Sequence, residues 1–122
     1  MKRVMRFYDS VFCQNFLVYV GTFDGCRRYL DRKYDAELED AYSGATGCCG
    51  LVPVGGTAIV LIWLPEQCRD DRMNLAHEAV HAACTVARRV GIDVNEGQNE
   101  FIAYYTEYIF TTISRWLERT GA

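Results

Sequence analysis

Apolar residues recur along this chain with two different periods, and the switches between them mark out its elements. Residues Val11 to Val20, VFCQNFLVYV, are rich in β-branched and aromatic side chains and run into GTFDG, the composition of a strand closed by a turn. From Gly25 to about Ala41 the spacing lengthens to three and four residues, with Cys26, Tyr29, Leu30, Tyr34 and Leu38 apolar among charges, which predicts an amphipathic helix. A glycine-rich turn around Ser43 to Gly50 follows. LVPV and TAIVLIWL then flank Gly55 and Gly56, two strands joined by a tight turn, with Pro65 ending the second. The helical period returns from about Asp70 to Val90, with acids in the first turn, Arg88 and Arg89 in the last and Gly91 at the stop. It returns again from about Glu96 to Arg119, where Phe101, Tyr105, Tyr108, Ile109, Thr112, Ile113 and Trp116 form the apolar rows. The short link between these helices predicts an antiparallel pair. The expected fold is α+β: one domain over residues 1–122, with a small antiparallel or mixed sheet of about three strands packed on three helices.

Composition narrows the function classes. Half of the residues are hydrophobic and 13% are aromatic, which excludes a disordered chain. The net charge is only -3, and the basic residues are scattered apart from Lys2, Arg3 and Arg6, so no nucleic-acid partner is expected. The longest apolar stretch, Leu51 to Leu64, is broken by Pro53, Gly55 and Gly56 and falls short of the roughly 20 residues a membrane span needs. No run of signal-peptide length precedes Asp9, so the six cysteines are expected as reduced thiols in a cytoplasm. No CxxC pair occurs, and the adjacent Cys48 and Cys49 read as a turn or strand start.

Both histidines of the chain lie in one stretch, HEAVH, residues 77 to 81. Four residues advance an α-helix by about 400°, so His77 and His81 share a face about 6 Å apart and can aim two imidazoles at one ion. Glu78 stands about 100° around from His77, which suits a residue that reaches a water on the ion without ligating it, as a general base. The bland alternative is a helix whose histidines satisfy hydrogen bonds at a core edge. A catalytic zinc takes a third protein ligand. A third histidine of the metzincin kind is ruled out, because Cys84 and Ala87 stand where its glycine and histidine would be. The next helix offers Glu96, Glu100 and Glu107, and the expected fold-back turns Glu100 towards the motif. Cys84 is a weaker ligand candidate, since small buried thiols usually serve as core.

HEAVH followed by NEFIAY, residues 99 to 104, resembles the gluzincin arrangement of zinc metallopeptidases, in which the ligand glutamate lies on the helix after the motif helix and is often preceded by asparagine. The thermolysin-like members continue with a Ser-Asp pair that this chain lacks. A closer likeness is to small phage-encoded proteins, carried by His77, Glu78, His81, Gly91, Ile92, Val94, Asn99, Glu100, Ala103 and Tyr104 and covering residues from about Trp63 onward. The resemblance implies one Zn²⁺ on His77, His81 and Glu100, with Glu78 as the base in hydrolysis of a peptide or protein substrate by metal-activated water. It also implies a sheet edge for that substrate, with Thr57 to Leu64 as the candidate, although the same continuous apolar run suits a central core strand equally well. An oxyanion donor is needed too, and Tyr104, one turn after Glu100, can serve or can simply pack. The rival expectation keeps the zinc as a structural pin in an interaction module for a host protein, in the host cytoplasm if the chain is phage-encoded.

Overall fold

The computed structural model describes residues 2–38, 47–69, 72–93 and 99–120. Four strands form one sheet: β1 (Arg3–Asp9), β2 (Gln14–Val20), β3 (Cys48–Val54) and β4 (Thr57–Leu64). Three α-helices flank it, α1 (Phe23–Tyr34), α2 (Met73–Arg89) and α3 (Asn99–Thr120), with a short 3-10 turn at Glu66–Arg69. The strand order is β1-β2-β4-β3. β1 pairs antiparallel with β2 and β3 antiparallel with β4, whereas β2 and β4 run parallel. The fold is α+β as expected, with a mixed sheet of four strands in place of about three.

The additional strand is β1. Its sequence, RVMRFYD, mixes charged and apolar residues on both faces, so no clean alternation announces it. Register supplies what pattern does not: Phe7 lies opposite Phe16, and their rings stack at 4.5 Å. The strand expected from Val11 begins at Gln14, because the preceding residues make a turn in which Cys13 takes a left-handed φ of 56°. Thr22 caps α1, its Oγ1 accepting from the Gly25 amide at 3.0 Å. Asp35, at φ 52°, closes the same helix at Tyr34, several residues before the expected end. Ala41, the turn residues Ser43 to Thr46, the expected helix start Asp70 and the ligand candidate Glu96 lie outside the described residues.

The sheet is covered on both faces, which is why β2 and β4 read as almost unbroken apolar runs. Phe16, Val18, Val20, Val60, Ile62 and Leu64 face α2 and α3. Leu17, Tyr19, Ile59, Leu61 and Trp63 face α1, together with Phe23, Cys26 and Leu30. Each fully buried Leu or Ile contributes about 1.5–3 kcal/mol. The Trp63 indole donates to the Gly21 carbonyl at 2.9 Å and ties the two parallel strands together at their ends.

The two long helices take different seats on this sheet. α2 packs on β3, β4 and α3. α3 begins over the β1–β2 end, where Phe101 and Tyr105 meet the Phe12 ring edge-on at 5.3 and 5.5 Å. β4 lies between β2 and β3, so it offers no free edge, and the expected substrate edge at Thr57–Leu64 is corrected: it is a core strand. The edge strand beside the motif helix is β3.

Candidate metal centre

HEAVH occupies the second and third turns of α2. Leu75, Ala79, Ala82, Ala83 and Val86 of this helix are buried against the sheet, and His77 and His81 are exposed on the side turned from it. Their Nε2 atoms stand 3.1 Å apart, with ring centroids at 4.7 Å. Without an ion, one ring donates and the other accepts. Two nitrogens bound at about 2.0–2.1 Å to a tetrahedral zinc would be about 3.3 Å apart. The pair is therefore set close to the separation a shared ion demands, and on the same ring atoms.

Glu78 is turned towards β3, beside the imidazole pair, and only 6% of its surface is exposed. Its carboxylate lies over the start of β3: a Cβ built on Gly47 would meet Glu78 Oε2 at 3.3 Å and the Trp63 carbonyl at 3.4 Å. Burial raises its pKa above the ordinary value, while His77 and His81 pull it down. On the same stripe of α2, seven residues on, Thr85 lies beside Cys49 of β3. Burial pushes the Cys49 thiol up to about 12, with the Glu78 charge acting in the same direction. The Cys48 thiol rises to about 11 for the same two reasons. These cysteines are packing residues on opposite faces of β3, as expected of buried thiols.

His81 is three residues after Glu78 and four before Thr85, so the imidazole pair borders the stripe that faces β3. α3 lies on the other side of α2, over β1 and β2. Glu100 is exposed in the first turn of α3, and Tyr104 follows it, 68% exposed. Their neighbour Tyr105 is held at the β1–β2 turn by Asp9. That end of α3 and the start of β3 lie three strand positions apart and at opposite ends of the sheet, since Cys48 pairs with Trp63 beside Tyr19, whereas the β1–β2 turn precedes Gln14. The structure thus brings together His77, His81 and Glu78, and leaves Glu100 and Tyr104 apart from them. Among the described residues no group of three or more His, Cys, Asp or Glu side chains is placed to hold a metal. Glu107 is exposed, and Cys84 is half-buried with a free thiol.

Gly47 is the residue that sequence reasoning missed. A glycine just ahead of an edge strand reads as part of a turn, and its use here, close approach of a buried carboxylate, depends on contact between elements far apart in sequence. Among the described residues no helix is long and apolar enough to cross a membrane. In comparisons with known proteins, no family model, no curated protein and no solved structure matches the chain.

Proposed function

We propose that the chain is a zinc-dependent hydrolase of peptide bonds, with His77 and His81 holding the ion and Glu78 as general base. The observation that carries this reading is the 3.1 Å approach of the two Nε2 atoms beside a carboxylate that the fold buries. Bound zinc would supply a Lewis acid and lower the pKa of a water towards about 7. Glu78 would take and hold the proton at its carboxylate, a task for which a raised pKa is suited. β3 is the terminal strand of the sheet and faces the same stripe of α2, so an extended peptide can pair with its backbone within reach of the site.

A second reading keeps the ion and omits the chemistry, as a zinc-pinned surface for a partner protein. The lack of a third ligand among the described residues favours it. Metal content per chain, measured by elemental mass spectrometry without an affinity histidine tag, is expected to be about one zinc, lost in His77→Ala. Loss in Glu100→Ala as well would mean that the first turn of α3 leaves the β1–β2 end to complete the site. Hydrolysis of an unfolded protein by the wild type, abolished in zinc-loaded Glu78→Gln, selects the enzyme. Zinc without hydrolysis selects the interaction module, and no zinc at any concentration removes both.

A further inference from the structure

At the opposite edge of the sheet, β1 and α1 gather cations that are scattered in sequence. Lys2 Nζ lies 5.2 Å from the centre of the Tyr29 ring, and Arg6 Cζ lies 5.5 Å from that of Tyr34. On α1, Arg28 and Arg32 are one turn apart, and Lys33 is one turn after Tyr29. All five cations are exposed, and both tyrosines are half-buried beneath them. Electrostatics agrees with this closeness. Burial pushes the Tyr34 hydroxyl up while Arg6 and Lys33 pull it down, and burial of Tyr19 is opposed in the same way by Arg28 and Arg32. Asp24 pairs with Arg27 at 3.7 Å, and Asp24 and Asp31 stand one turn to either side of Arg28, so that end of the cationic row has acids next to it.

We propose that this β1–α1 face binds single-stranded nucleic acid, with phosphates on the five cations and bases against Tyr29 and Tyr34. The class follows from how charge and rings are combined. A basic groove interleaved with aromatic rings holds a flexible strand by tracking its phosphates and stacking its unpaired bases. A duplex offers no free base face, and a lipid surface favours apolar side chains that project beyond the charges, whereas here the rings lie below them. β1 is about 20 Å long, enough for a few nucleotides. The even charge of the whole chain, which argues against such a partner, averages this face with acidic ones elsewhere.

The test is fluorescence anisotropy of a labelled oligothymidylate, compared with the same sequence as a duplex and with phosphatidylserine vesicles. Five phosphate contacts predict a slope of about -3.5 in log affinity against log salt, roughly a hundredfold weakening between 50 and 200 mM. Arg28→Glu with Arg32→Glu is expected to weaken binding at least about tenfold, and Tyr34→Leu about fivefold or more, since a stacked base is worth about 1–3 kcal/mol. Arg27→Glu, on the other flank, is expected to change it less than about twofold. The glutamine pair Arg28→Gln and Arg32→Gln, checked for fold by circular dichroism, serves if the reversed charges disturb α1. No binding at 50 mM salt overturns the proposal. So does an equal loss in Arg27→Glu, or binding of duplex or vesicles as tight as of the single strand.

Discussion

Asp9 and Glu78 are both buried carboxylates, each 6% exposed, yet the protein treats them in opposite ways. Asp9 has both oxygens engaged: Oδ2 accepts from the Tyr105 hydroxyl at 2.5 Å and Oδ1 from the Val11 amide at 3.0 Å. That set fastens the β1–β2 turn to α3. Glu78 accepts no hydrogen bond from a described residue. Its surroundings are the glycine at the start of β3, two thiols that resist ionisation and, on the solvent side, the imidazole pair. A buried acid with its partners in place stabilises the fold, and one with a raised pKa beside titratable neighbours marks a candidate site. The difference sets a structural fastening apart from the candidate reactive group of the proposed site.

Four measurements put that contrast at risk. The largest effect is expected in Glu78→Gln, where hydrolysis by the zinc-loaded protein falls by about 10²–10⁴-fold while the metal stays bound, measured as turnover beside metal content. Next is Asp9→Ala, which strands the Tyr105 hydroxyl in the core. A loss of about 2–3 kcal/mol in urea unfolding is expected, with metal binding unchanged. Gly47→Ala comes third. Its methyl would stand 3.3 Å from Glu78 Oε2, pushing the carboxylate by a few tenths of an ångström. Turnover is expected to drop by about threefold to tenfold, a fraction of the hundredfold that a full ångström of misplacement can cost.

The smallest effect concerns pH in the metal-free protein. The folded-state pKa of Glu78 lies above its ordinary 4.5, so between the two values the folded chain holds more protons than the unfolded one. This group's contribution is therefore present in acid and lost as pH rises through that window. Subtracting the unfolding curves of Glu78→Gln from those of the wild type is expected to isolate that decline. A flat difference would mean that Glu78 ionises as freely in the fold as outside it.

How much of this is legible in the sequence depends on whether the cause is local. α2, α3 and the β3–β4 hairpin announce themselves through period, the Arg88–Arg89 end of α2 and Gly55–Gly56, because these signals lie within one turn or one strand, while α2 itself begins at Met73 with no acid in its first turn. HEAVH is local too, and its two histidines do meet as helical spacing dictates. β1 is not legible, since its place is fixed by pairing with β2 and not by its own alternation. The distance of Glu100 from the motif is hidden for a related reason. A short link permits fold-back, but which strands each helix covers decides what the first turn of α3 can reach, and the rings around Phe12 draw it to the β1–β2 end. The cationic face is equally invisible in sequence, because Lys2 and Arg6 meet Arg28, Arg32 and Lys33 only once β1 and α1 lie side by side.

The parallel register of β2 with β4, Phe16 against Val60 and Val20 against Leu64, also sets an order of events during synthesis. Until residues 57–64 have left the ribosome, β2 has β1 as its sole strand partner, and a lone two-stranded hairpin is barely stable. Pairing across so long a stretch of chain is slow, whereas the floor of the motif helix, β3 and β4, is a local hairpin that precedes it in the chain. Glu78 is desolvated when α2 settles on that hairpin. A nascent chain arrested before that moment would carry HEAVH in water, its glutamate an ordinary acid, and any reactivity would arrive only with that docking step.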